Sequence, residues 1–241
     1  MEAIVDIETT RIENNTIESI NTIHCIVAKH YKTGEVREWV GDQCQEFGEW
    51  SKRISKFIMH NGISFDAPLL NKITGSNISP SQVRDTLLES QLFNPTRDGG
   101  HSLDSWGQRL DYPKIEFDKF DYYSPEMLEY CKTDVDLTHK VAQELEEESK
   151  NFSDKCYNLE RNIRVILDKQ QNNGFAFNFR EAQILLAQLE DEQHQLENDA
   201  KKEFKPTIRE LKTKTNIIPF NIASRKQIAD RLMDRGWKPD K

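Results

Sequence analysis

The chain has 241 residues, 36% hydrophobic and 31% charged, with a formal net charge of −8, which suits a soluble protein of one or two modest domains. No apolar run approaches the roughly 20 residues of a membrane span, and no basic-then-apolar leader opens the chain, so a cytoplasmic protein (host cytoplasm if viral) with no membrane partner is expected. Four scattered cysteines (Cys25, Cys44, Cys131, Cys156) lack Cys-x-x-Cys spacing, which argues against a zinc site or disulfide framework and for free, mostly packing thiols.

Ala3-Ile4-Val5-Asp6-Ile7-Glu8-Thr9-Thr10 reads as a β-strand, followed by a polar loop from Arg11 to Asn21. Alternating Ile23, Cys25 and Val27 predict a strand over 22–31, and a second over 35–40 follows a Thr33-Gly34 turn. Phe47, Trp50, Ile54 and Phe57 recur at helical spacing and predict a helix over 44–54. A fourth strand, 56–60, ends at Asn61-Gly62 and leads to a helix over 65–73. Residues 83–93 read as a short strand running into a helix, and Leu103, Trp106 and Leu110 mark another helix. The stretch 112–123 is irregular and rich in aspartate and aromatics. Ser124-Pro125-Glu126 has the form of a helix start, with the helix running to about Lys150. Three strands followed by strand–helix alternation predict an α/β fold over 1–152, a mixed sheet flanked by helices. Residues 153–241 are expected to form a smaller, mainly helical segment. Its helices run through Leu159, Ile163 and Leu167 to Asn173-Gly174, over 179–203 with Ala182, Leu185, Leu189 and Leu196 on one stripe, and over 224–236.

Charge is unevenly divided. Residues 151–241 hold 17 Lys and Arg against 14 Asp and Glu, while residues 1–150 hold 16 against 27. An acidic N-terminal part meets a polyanion only with cations in between. The Lys201, Lys202, Lys205, Arg209, Lys212, Lys214 cluster reads either as a phosphate-facing patch or as a solvated helix face.

Asp6 and Glu8, two apart on a strand, share one face. Like charges side by side are costly without a cation, so the pair suits a metal; it equally describes a strand end with two solvated acids. Asp66 stands at a helix start, as a further ligand or as a partner of the helix dipole. Tyr130 and Asp134, four apart on one helix, bring a phenol and a carboxylate to one point. Asp136 points away from that face, to solvent or a supporting role. The set Asp6, Glu8, Asp66 and Asp134 is oxygen-rich and histidine-poor, which suits Mg²⁺ or Mn²⁺ rather than zinc. Four carboxylates can hold two ions about 3.5–4 Å apart, a spacing that clamps both the attacking and leaving oxygens of a phosphoryl displacement.

In order and separation, Asp6-x-Glu8, Asn61…Asp66 and Tyr130-x-x-x-Asp134 resemble the three motifs of DEDDy 3′–5′ exonucleases. Residues 1–150, through His60-Asn61-Gly62…Asp66, Gly100-His101-Ser102-Leu103…Trp106-Gly107 and Glu129-Tyr130-Cys131…Asp134, are similar to the proofreading domain of phage polymerases of family A. The resemblance implies an RNase H-like sheet and two divalent cations. By it, Asp6, Glu8 and Asp134 hold the metal that carries the nucleophilic water. Asp6 with Asp66 binds a second metal near the leaving 3′-oxygen, and Tyr130, helped by Glu8, orients the water. It also implies that Thr9, Asn61 and Phe65 touch the terminal nucleotide and that the His101–Trp106 region borders a single-strand channel. His60 and His101 have plainer readings as strand-end and helix-start residues.

Residues 155–241 extend the likeness: Glu160-Arg161-Asn162…Asp168…Asn173-Gly174-Phe175 and Phe220-Asn221…Ser224-Arg225-Lys226-Gln227 resemble the start of the family-A polymerase region. No Asp-Tyr-Ser or His-Asp-Glu segment is present, so no polymerase activity is expected of this sequence alone. The expected activity is hydrolysis of single-stranded DNA 3′ ends to 5′-mononucleotides, as the proofreading part of a split or truncated family-A polymerase, with a separate palm-and-fingers chain as the expected partner if it is split. The alternatives are a non-catalytic subunit docking to such a chain and a DEDD-type exoribonuclease.

Overall fold

The structure, a computed structural model, describes residues 1–11, 17–211 and 214–238. Residues 12–16 of the expected polar loop and Lys212 of the basic cluster lie outside the described residues. Strands β1 (Glu2–Thr9), β2 (Ile23–His30), β3 (Val36–Val40), β4 (Lys56–Met59) and β5 (Val83–Asp85) form one sheet in the order β3-β2-β1-β4-β5. The β1–β2 and β2–β3 pairs are antiparallel, and the β1–β4 and β4–β5 pairs are parallel. Strand β1 is therefore central, with neighbours on both sides and two buried faces.

Alternation along β1 divides the core. Ala3, Val5 and Ile7 face one way, joined by Phe57 and Met59, beneath α1 (Phe47–Ser51) and α2 (Asp66–Thr74). Ile4 faces the other way with Cys25, Val27 and Ile58. It meets Met127, Cys131, Val135 and Ala142 of α5, as numbered along the chain after α3 (Thr86–Phe93) and α4 (Leu103–Arg109); α5 spans Pro125–Glu148. Each fully buried large side chain in these layers contributes about 1.5–3 kcal/mol relative to exposure. The start of α5 is fixed locally: Ser124 Oγ accepts from the Met127 N–H at 3.2 Å, and Pro125 pre-sets the first turn.

The helix expected over 44–54 is two pieces, a 3₁₀ segment Gly41–Glu46 and the short α1. The reason is tertiary: Cys44, Phe47 and Trp50 are pulled against Trp39 of β3, whose ring lies 5.2 Å from Phe47 and 5.0 Å from Trp50. Asp136, expected to face solvent or support the site, bonds Lys29 of β2 at 2.7 Å.

The chain divides into two compact units, Met1–Gly174 and Phe175–Lys241. The division falls later than the 152/153 boundary expected from sequence because α6 (Asp154–Asn173) is bonded into the first unit. Tyr157 Oη accepts from the Asp85 N–H at 2.7 Å, Val165 packs on the core, and Arg164 and Asp168 both bond Ser64. The second unit contains α7 (Phe179–Glu203), β6 (Thr207–Leu211), β7 (Lys214–Ile218) and α8 (Arg225–Met233). The β6–β7 hairpin departs from the mainly helical expectation; its strands hold mixed polar and apolar residues with no Gly or Pro turn between them. In the basic cluster, Lys201 and Lys202 pair with Glu197 and Asp199 of their own helix, at 3.5 and 3.0 Å, as on a solvated face.

One close approach shapes the segment ahead of α5. Gly107, in α4, accepts from the Tyr112 N–H at 2.8 Å, and a Cβ at Gly107 would lie 2.7 Å from the Tyr112 carbonyl oxygen. Beside it, fully buried Trp106 donates to Ser90 Oγ at 3.1 Å and lies between the guanidinium groups of Arg97 and Arg109. Gly107→Ala should lower unfolding stability by about 1–3 kcal/mol through overpacking. Urea unfolding checks this; an unchanged midpoint would mean that the Tyr112 segment yields freely.

Candidate active site

The sheet register brings the site together. Asp6 and Glu8 point from β1 to the α5 face, opposite Val27 and Cys25 of β2, and the pairing shifts between Glu8 and Thr9. Parallel β4 ends beside them, and the turn after it delivers Asp66 at the first position of α2. The Asp66 carboxyl accepts from the Ile7 N–H of β1 and is 4% exposed. From the opposite side, α5 supplies Tyr130 and Asp134 from successive turns, with Asp134 5% exposed.

Ligand atoms of Asp6 and Glu8 lie within 4.8 Å of each other, and the charges of Asp66 and Asp134 act on both. Burial raises the Asp6 carboxyl well above its ordinary value, and Glu8, Asp66 and Asp134 push it further. Burial carries Glu8 up to about 9, with Cys25 and Asp134 adding to it. Asp66 rises to about 7 through burial and then Asp85, and burial also raises Asp134. Buried like charges disfavour joint ionisation unless a cation joins them. Among the described residues, the one ion pair to this set is Lys114 Nζ on Asp134 Oδ2 at 2.6 Å. The other oxygen, Asp134 Oδ1, is buried with no hydrogen-bond partner among the described residues. An unpartnered carboxylate oxygen, three crowded acids and a hard oxygen donor set fit a divalent cation.

Lys114 is the functional candidate missed in the sequence. Its Nζ also donates to Tyr130 Oη at 2.9 Å and lies 4.8 Å from the Tyr130 ring centroid. The ring is fixed by Phe117 and Phe120, with centroids 5.5 and 6.1 Å away. In sequence, Lys114 is one of two lysines in an acidic, aromatic-rich irregular stretch, and nothing in its spacing separates it from Lys119. A cleft of about 540 Å³ lined by Lys114, Phe117, Tyr130, Asp104 and Glu116 opens at this point.

A second missed residue is Asp85, at the N-terminus of α3. Its Oδ1 accepts from the N–H groups of Asn61, Leu87 and Leu88 at 3.0, 3.0 and 3.3 Å, and its Oδ2 accepts from Ile63 at 3.1 Å. These bonds hold the turn before Asp66, where Asn61 has φ +68°. The helix-cap pattern Asp-Thr-Leu-Leu-Glu was the available signal.

The remaining sequence candidates lie around this centre. Thr9 is buried and donates to the Thr10 carbonyl at 2.9 Å, and Phe65 packs partly into the core beneath α2. His101 Nδ1 pairs with Ser90 Oγ at 2.9 Å. His60 pairs with Thr86 Oγ1 at 2.9 Å, and burial followed by the Lys114 charge lowers it to about 4, so it is neutral at physiological pH.

No family model matches the chain. The DNA-directed DNA polymerases of Enterobacteria phage T3 and Escherichia phage T7 are each 24% identical over 242 aligned residues, covering 73% of this chain and 34% of each polymerase. Among solved structures, Brucella melitensis NrnC bound to pGG aligns with a TM-score of 0.53 at 19% identity, covering 70% of this chain and 81% of that one. The chain is thus similar in sequence to part of these phage polymerases and shares its fold with NrnC. It spans about a third of the length of the curated relatives it matches. The NrnC likeness identifies the RNase H-like sheet with its flanking helices. Among the described residues, no helix is long and apolar enough to cross a membrane.

Two measurements probe the site. Folded Glu8 and Asp66 keep protons that the unfolded chain releases above their ordinary 4.5 and 3.8, so metal-free stability should fall as pH rises toward about 9 and about 7 respectively. A cation replaces those protons, so thermal shift should show a larger Tm gain from Mg²⁺ above about pH 8 than near about pH 5; a gain independent of pH would separate the carboxyls from the cation. Asp85→Ala leaves buried N–H groups without an acceptor and should destabilise by at least about 1–3 kcal/mol. It should also shrink the Mg²⁺-induced Tm gain by freeing the Asp66 turn, whereas a full gain would remove Asp85 from any positioning role.

Proposed function

We propose that this chain is a metal-dependent 3′–5′ exonuclease that hydrolyses single-stranded DNA ends to 5′-mononucleotides, as the proofreading part of a family-A polymerase. The observation that carries the reading is the convergence of Asp6, Glu8, Asp66 and Asp134 from β1, α2 and α5 on one buried point of an RNase H-like sheet. The homology to the phage polymerases supports the DNA context.

Asp6, Glu8, Asp66 and Asp134 would hold two divalent cations, Mg²⁺ or Mn²⁺. Such ions, when bound, supply positive charge to the attacking and leaving oxygens of the phosphodiester. Tyr130 acts by position. Burial, then Asp134, raises its hydroxyl above the ordinary tyrosine value, so it stays a neutral donor and acceptor that orients water instead of deprotonating it. Glu8, beside it, accepts from that water. Lys114 contributes a fixed ammonium that steadies the Tyr130 hydroxyl and offsets the acidic wall facing a phosphate. In the hydrolysis, water adds to phosphorus, the bond to the 3′-oxygen breaks, and that oxygen takes up a proton as the shortened strand leaves. Thr9, Asn61 and Phe65 border the terminal nucleotide, and the His101–Trp106 region borders the strand's path. The palm and fingers belong to the rest of that polymerase.

The test uses purified chain with Mg²⁺ and labelled single-stranded DNA and RNA of one sequence. Asp6→Ala and Asp134→Ala should each abolish digestion while circular dichroism stays unchanged. Tyr130→Phe should retain more activity than either, with a loss of about 10²-fold as for a misplaced positioning contact. Full activity of Asp6→Ala would sink the mechanism, and preference for RNA would replace the proofreading reading with an exoribonuclease.

A further inference from the structure

The carboxylate face also carries sulfur. In the β1–β2 register Glu8 stands opposite Cys25, so Cys25 projects to the same face. Helix α5 drops Cys131 between them, fully buried, one residue after Tyr130. Its Sγ lies 3.4 Å from Asp6 Oδ2 and 3.5 Å from the Asp6 carbonyl oxygen, and the Cys25 thiol is within hydrogen-bond reach. One ligand atom each from Asp6, Glu8 and Cys131 falls within 4.8 Å of the others. Asp134, whose charge acts on both Asp6 and Glu8, keeps its Oδ1 buried and without a hydrogen-bond partner among the described residues.

We propose that Asp6, Glu8 and Cys131 form a site for a thiophilic divalent cation of the zinc and cadmium class, overlapping the hard-cation site. The donor set carries the argument. Magnesium takes oxygen and dehydrates reluctantly, so a buried sulfur adds nothing to its binding. Zinc accepts a thiolate beside carboxylates in a small, four-coordinate shell, and affinities for mixed donor sets rise toward that end of the metal series. On binding, the Cys131 S–H bond breaks, its proton leaves to solvent, and a metal–sulfur bond forms in place of the hydrogen bond to Asp6; no electron is transferred. The geometry gives such an ion three protein ligands. Because Asp6 and Glu8 belong to both sets, zinc excludes magnesium from them; this consequence for activity rests on the nuclease reading, while the site itself does not.

Cobalt is the probe. The metal-free 241-residue chain titrated with Co²⁺ should develop a sulfur-to-cobalt charge-transfer band in the near ultraviolet, and Zn²⁺ added in slight excess should bleach it. Cys131→Ser should remove the band and weaken Co²⁺ binding by at least about tenfold, whereas Cys156→Ser, at an exposed position, should leave both unchanged. Where Cys131→Ser fails to fold, Glu8→Gln provides the second reading, weakening binding while keeping the band. A wild-type chain with no band, or a band surviving in Cys131→Ser, overturns the proposal. Mg²⁺-dependent digestion by the unsubstituted chain is measured in the same preparation. Its absence defeats the nuclease reading and leaves the cobalt result standing.

Discussion

Four acids from three elements crowd one buried region, and among the described residues a single ammonium pairs with them. Coulomb repulsion at that point is expensive because sheet and helix exclude water, so the arrangement persists metal-free only with carboxyls protonated and Lys114 paired to Asp134. Most of the first unit holds the acids there. Central β1 fixes Asp6 and Glu8 on one face, parallel pairing to β4 sets where the next turn begins, and α5 crosses that face with Met127, Cys131 and Val135 buried beneath it. A slip of one residue in β1 would send both acids into the opposite, apolar layer.

The support extends beyond the sheet. Asp85 fastens the turn that carries Asp66, and α6 fastens Asp85 in turn through Tyr157. Ser64, two residues before Asp66, donates to Asp168 at 2.8 Å and accepts from Arg164 at 2.7 Å. The helix that follows the sheet is thus bonded to the loop that supplies a carboxylate. These bonds cross 104 and 100 residues of sequence, so the geometry of Asp66 depends on a helix that local sequence assigns to another segment.

A strap runs in front of α5. It leaves α4 at the close Gly107–Tyr112 contact, and Lys114, Phe117 and Phe120 then converge on Tyr130. A phenol clamped by two rings and an ammonium has little freedom, which suits a group acting through position. The strap also supplies the wall of the cleft beside the carboxylates, so its acids and its lysine set the charge seen by anything entering.

Much of this was legible from local pattern. The strand periodicities, the Ser124-Pro125 start of α5, the shared face of Asp6 and Glu8, and the Tyr130–Asp134 spacing depend on neighbours a few residues away. Their side-chain directions follow from backbone geometry alone. The attachment of α6 was not legible because its partners are distant in sequence, the split at 41–51 depends on Trp39 of the preceding strand, and the β6–β7 hairpin carries no Gly or Pro turn signal. The site divides in the same way. Sequence by itself determined which carboxylates share a face or a helix turn. Only the tertiary structure decided that Lys114 pairs with Asp134, that Asp85 holds the Asp66 turn and that Cys131 lies against Asp6, since these contacts form between elements whose spacing along the chain carries no trace of their meeting.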